Sequence, residues 1–98
     1  MAFVLLFTET SERQLKGLRD SKSHEAEYKA VVKTLRFLAE NPRHPGLNSQ
    51  PYRSLSGPDK EPVFESYAQH RRPGAYRVFL YYGPGRGEIT ILNIVPHP

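Results

Sequence analysis

The sequence predicts an α+β fold: an antiparallel β-sheet with an N-terminal strand and an αα-hairpin packed on one face, in the order β-α-α-β-β-β-β. Three observations carry that expectation. A stripe of apolar residues at helical spacing runs from Tyr28 to Leu38. A two-residue alternation begins at Val63 and persists to Val95, and Gly/Pro clusters at 70–74 and 83–87 cut it into hairpins. Ninety-eight residues with 38% hydrophobic content suit one domain spanning residues 1–98.

Taken in order, residues 2–7 (AFVLLF) are continuously apolar and too short for a buried helix, so they read as a strand. Ser11 and Gln14 have the spacing of a capping box, which opens a short helix carrying Leu15 and Leu18 and weakened by Gly17. Asp20–Ser23 breaks it. Ser23 is the expected N-cap of the next helix, with Glu25 and Glu27 in its first turn, where the helix dipole favours negative charge. Tyr28, Val31, Leu35 and Leu38 form its buried stripe, Val32 and Ala39 widen it, and Asn41-Pro42 ends it. A loop, NPRHPGLNSQ, leads to a short strand over 52–55, and an exposed loop over 56–62 follows.

In the alternating region, Val63, Glu65, Tyr67 and Gln69 point opposite to Phe64, Ser66 and Ala68. Next, Tyr76, Val78, Leu80 and Tyr82 oppose Arg77, Phe79 and Tyr81. The final strand sets Ile89, Ile91, Asn93 and Val95 against Glu88, Thr90, Leu92 and Ile94, and Pro96 is expected to end the pairing.

Composition narrows the function classes. No run of eighteen apolar residues exists, so no membrane span is expected. The apolar start lacks a basic segment and a cleavage site, which makes it a strand and not a signal peptide. The absence of cysteine excludes disulfides and thiolate zinc sites, and a cytoplasmic setting follows as the expectation. The net charge of +4 suits a polyanionic partner. It is uneven: residues 1–40 hold seven basic and six acidic side chains (+1), whereas 41–98 hold seven and four (+3).

Two side chains call for more than a structural account. Arg77 lies inside a strand, where a guanidinium must reach solvent or be paired; Glu65 on the neighbouring strand is the structural partner, and a phosphate is the functional one. His97 follows directly on a core strand, and an imidazole there titrates in the range useful for general acid or base chemistry. Arg43, His44, Gln50 and Arg53 lead into the sheet, and Arg71 and Arg72 sit in the next turn, so together they are expected to fringe a basic groove. Tyr67, Phe79, Tyr81 and Tyr82 interleave with them; most are expected to pack, and one or two, Tyr81 first among them, to stack on a base. His24, His44, His70 and His97 show no ligand spacing, so no metal and no cofactor is expected. GPGRG lies between two strands with no helix after it to complete an anion site.

The element order, the NPRHPGL loop, the AYRVFLYY strand and the ITILNIVPHP ending resemble the RelE/ParE superfamily of type II toxin–antitoxin toxins over nearly the whole chain. In the RelE-like branch that resemblance implies an endoribonuclease that cuts mRNA on the ribosome through attack of a 2′-hydroxyl on the adjacent phosphate. It implies no membrane role and a small antitoxin as partner. Carried over by motif, Arg77 contacts the scissile phosphate and His97 is a general acid or base. Arg53, and more loosely His44 or Gln50, fall in the region that supplies further phosphate contacts. The chain departs from the pattern in having only Pro98 after His97 and no lysine between Lys33 and Lys60. The ParE-like branch implies a different activity, inhibition of DNA gyrase by binding, and an inactive RNA- or antitoxin-binding domain is the third alternative.

Overall fold

The computed structural model describes residues 2–70 and 72–97. Its elements are β1 (Val4–Phe7), α1 (Glu9–Asp20), α2 (Glu25–Glu40), β2 (Gln50–Ser56), β3 (Pro62–Tyr67), β4 (Tyr76–Tyr82) and β5 (Glu88–Pro96), with 3-10 turns at Lys22–His24 and Pro45–Leu47. The five strands form one sheet in the order β1-β5-β4-β3-β2.

The element order matches the sequence expectation, but the sheet is mixed and not antiparallel throughout. β1 pairs with β5 in parallel, Val4 opposite Glu88 and Phe7 opposite Ile91. Chain direction requires this. β1 runs straight into α1, and α1 climbs β5 from Ser11 at Ile91 to Gln14 at Ile94. A strand that continues into such a helix must run with β5.

α2 supplies the wall of the main core. Val31, Leu35 and Leu38 are buried as their spacing demands and pack with Leu18 and Leu47 against Val78, Leu80, Ile89, Ile91 and Ile94 of the sheet. Val78 and Leu80, like Ile89 and Ile91, come from alternate positions, so one face of β4 and β5 turns toward the helices. The other face carries a smaller cluster of Val63, Phe79 and Tyr81, flanked by Tyr52, Leu92 and Val95. No helix covers it.

Both capping expectations are corrected. Thr8 is the N-cap of α1, its hydroxyl accepting the Ser11 N–H at 3.0 Å. Ser11 and Gln14 do not bond each other's backbone: both reach β5, and the Ser11 hydroxyl also stays in contact with Thr8. The Ser11 hydroxyl donates to the Ile91 carbonyl at 2.8 Å, and the Gln14 side-chain oxygen accepts the Ile94 N–H at 2.7 Å. Ser23 does not cap α2 either: His24 holds that position with no side-chain capping bond, and the Ser21 and Ser23 hydroxyls turn to the His24 ring. The break is a 3-10 turn that carries the chain directly into α2, so the first N–H groups are not left for a serine to meet.

The bonds from α1 land on a defect that strict alternation misses. Phe79 pairs with Asn93 and Leu80 with Ile91, so Leu92 is an extra residue and β5 bulges there. Ile94, expected opposite Ile91, turns back into the helix-covered core, and Val95 moves to the open face with Leu92. An inserted residue reverses every side chain beyond it. Pairing also runs past its expected stop: Pro96 is the partner of Tyr76, and the His97 N–H donates to the Ala75 carbonyl at 2.7 Å.

Candidate functional site

The open face is built by β3, β4 and β5. Tyr67 pairs with Arg77, and Glu65 with Phe79, so Glu65 lies diagonally across from Arg77 on one face. Their side chains form an ion pair between Arg77 Nη1 and Glu65 Oε2. Both are buried, Arg77 at 8% and Glu65 at 5% exposure. The other Glu65 oxygen accepts bonds from Gln50 Nε2 at 3.3 Å and from the Tyr67 hydroxyl at 3.2 Å. Gln50 also donates to the Tyr67 oxygen at 3.2 Å. Arg77 stacks over the Phe79 ring, 5.2 Å from its centroid, and its Nε–H is buried without a hydrogen-bond partner. One donor of the fork is therefore left with nothing to bind, in a setting where that is costly.

The bulge determines where His97 goes. Val95 is the partner of Arg77, and alternation carries position 97, two residues on, to the same side of the sheet. Without the extra Leu92 that position would fall on the helix-covered face. His97 is exposed at the rim, its backbone tied to Ala75. The face thus holds a carboxylate and a guanidinium side by side, and the chain sets an imidazole directly after the end of β5.

Not every basic residue expected here belongs to this face. Arg43 and His44 lie on the opposite side of the sheet, in a groove of about 820 Å³ whose floor is Phe3, Phe64 and Tyr82. The His44 ring stacks on Phe37 with centroids 4.4 Å apart, and its Nδ1 accepts the Gly46 N–H at 2.9 Å. Arg72 is drawn toward α2, 3.8 Å from Glu27. Arg53 is exposed on β2 beside Tyr52, whose ring meets Phe79 at 4.8 Å. Tyr81 is buried at 6% exposure against Val63 and Phe79, so its ring is committed to packing and not offered to a base. Arg71 lies outside the described residues. The expected single basic groove is replaced by two separate surfaces, because Arg43 and His44 sit in the loop that leaves α2 on the helix side of the sheet, whereas Gln50 and Arg77 lie on strands and meet at Glu65 on the open face.

No protein-family model and no curated protein matches the sequence. Two solved structures do match the fold. A YoeB/ParE toxin from Agrobacterium tumefaciens superposes with a TM-score of 0.70 at 12% identity, covering 97% of this chain and 99% of that one. A chain of the archaeal RelE–RelB complex from Pyrococcus horikoshii OT3 superposes with a TM-score of 0.65 at 18% identity, covering 98% and 96%. This chain has the RelE/ParE toxin fold. The resemblance read from the NPRHPGL loop and the two C-terminal strands holds at the level of fold.

Within that RelE/ParE fold, the residues that sequence reasoning left out of the site are Glu65 and Tyr67. Glu65 was legible only as a structural partner for Arg77. An acidic side chain between Val63 and Tyr67 on an alternating strand was the available signal. The hairpin register that sets it diagonal to Arg77 was not.

Proposed function

We propose that this protein is a RelE-like toxin that cleaves mRNA without a metal and is held inactive by a small cognate antitoxin. The reading is supported by the buried Glu65–Arg77 pair on the open face, with His97 following directly on β5 at its rim. In the proposed reaction, Glu65 takes the proton of the 2′-hydroxyl as that oxygen bonds to the adjacent phosphorus. Arg77 meets the negative charge that builds on the phosphoryl oxygens through the guanidinium donors that Glu65 does not engage. His97 delivers a proton to the 5′-oxygen as the P–O5′ bond breaks, leaving a 2′,3′-cyclic phosphate and a 5′-hydroxyl. The fold shared with a chain of a RelE–RelB complex supports a protein antitoxin as partner. The basic balance of residues 41–98 supports RNA, on the ribosome in the cytoplasm, as substrate. Among the described residues no helix is long and apolar enough to cross a membrane.

The test is purified protein added to translating ribosomes, with mRNA 5′ ends mapped. Wild type is expected to cut. His97→Ala and Glu65→Gln should each slow cleavage by about 10²–10⁴-fold, and Arg77→Ala by about 10²–10³-fold. No cleavage by wild type, or undiminished cleavage by both Arg77→Ala and His97→Ala, overturns the reading.

One observation favours a second reading, a ParE-like gyrase inhibitor or an inactive binding domain. Arg77 is engaged by Glu65 and almost fully covered, as a purely structural ion pair would be. Under that reading wild type leaves mRNA intact. Inhibition of gyrase supercoiling, or binding of antitoxin alone, then distinguishes its two forms.

A further inference from the structure

The groove on the helix side of the sheet has no part in the reaction above, yet its lining is assembled for a ligand. Tyr82 is 41% exposed at its floor. Phe3 and Phe64 meet Tyr82 edge to face, at interplanar angles of 77° and 88°, so neither ring lies flat on it and takes the place of a stacked partner. Arg43 is exposed and close enough for its charge to be felt by the Tyr82 phenol. The walls carry both kinds of hydrogen-bonding group. The Asn41 oxygen accepts the Arg43 N–H at 3.2 Å, which leaves its amide N–H groups for a ligand. Asn48 turns its amide nitrogen to His70 at 3.5 Å, which leaves its oxygen. Glu40 is the carboxylate on the rim.

The groove also connects with the open face around the start of β2. Asn48 and Ser49 line it, and the next residue, Gln50, bonds to Glu65 and Tyr67. His70, beside Asn48, stacks on Tyr67 with centroids 5.7 Å apart. A single strand held at Arg77 therefore has a short way round this edge to an aromatic floor with amide walls and one cation. That is the chemistry which takes a nucleobase and its phosphate.

We infer that the groove is a second nucleotide subsite, holding a base of the same RNA strand that flanks the bond cut on the open face. Tyr82 stacks on the base, Asn41 and Asn48 bond its edge, and Arg43 contacts the adjoining phosphate. The inference rests on the RNA-cleaving reading and extends it from one phosphate to a longer footprint.

The experiment is an NMR titration at fixed salt with uncleavable 2′-O-methyl oligoribonucleotides, a dinucleotide and a hexanucleotide. Wild type should bind the hexanucleotide about tenfold or more tighter than the dinucleotide, the increment expected of one stacked base. The Tyr82 ring resonances should move with the hexanucleotide alone. Tyr82→Ala and Arg43→Ala should remove that advantage and leave dinucleotide binding unchanged, while Tyr82→Phe retains it. Arg77→Ala should weaken both. Groove variants that bind the hexanucleotide as wild type does overturn the subsite and leave the RNA reading standing. So do variants that keep RNA but lose a protein partner, which would assign the groove to that partner. Wild type that binds neither oligonucleotide and cuts no mRNA takes the RNA reading down with it.

Discussion

On the face covered by the helices, Val78, Leu80, Ile89, Ile91 and Ile94 meet Val31, Leu35 and Leu38 in an apolar contact. On the opposite face the same sheet buries a charged pair, Glu65 with Arg77, beside a cluster of Val63, Phe79 and Tyr81. The first face is the cheaper arrangement, since apolar surface leaves water without a polar debt. The second removes two charges from water and leaves one Arg77 donor without a partner. A chain that can build the first kind of surface and still builds the second gains no stability by it. Where a fold departs from its own most stable pattern, function is the usual reason.

The sharpest way to break this comparison is to remove one partner of the pair. Glu65→Ala should cost about 3–5 kcal/mol in urea unfolding, because Arg77 is left charged and buried. The double replacement Glu65→Leu with Arg77→Met should recover most of that loss while abolishing the proposed activity. A double variant as unstable as the single one would mean that the pair is structural. On the covered face, Leu80→Ala should cost about 2–5 kcal/mol through lost burial and a residual cavity. It should leave residual activity in proportion to the folded fraction.

Gln14 tests the link between the faces. Gln14→Ala removes the acceptor of the Ile94 N–H and should cost about 1–3 kcal/mol. Hydrogen exchange at Ile94 should quicken, and cleavage should fall more than folding does if the bulge sets the position of His97. The smallest effect is alkaline. Burial raises the phenols of Tyr76 and Tyr82 above their ordinary value of 10.0. The unfolded chain therefore loses these protons first. Stability should hold below about pH 10 and decline as pH climbs toward the higher native values. Tyr82→Phe should soften that decline. Arg43→Ala should move the Tyr82 titration still higher, since the Arg43 charge opposes the rise. Ring NMR across the alkaline range reads both.

Much of the fold was legible because local rules govern it. The α2 stripe, the β3–β4 alternation and the glycine turn after β4, where Gly83 and Gly87 take positive φ, follow from periodicity and backbone sterics. Arg77 and His97 stood out because a guanidinium in a strand and an imidazole after one are locally odd. The Ser11–Gln14 spacing misled for a matching reason: a capping box and a pair of ligands for a distant strand look the same until the partner is known.

By itself, the sequence determined which residues lie on a helix, which alternate on a strand and which two polar groups needed explaining, since each depends on neighbours a few positions away. Only the tertiary structure decided that β1 runs parallel to β5 and that Leu92 bulges. It alone brought Glu65 to Arg77, put position 97 on their side, and sent Arg43 and His44 to a separate groove. These depend on register between segments far apart in the chain, where a shift of one residue exchanges the two faces of the sheet.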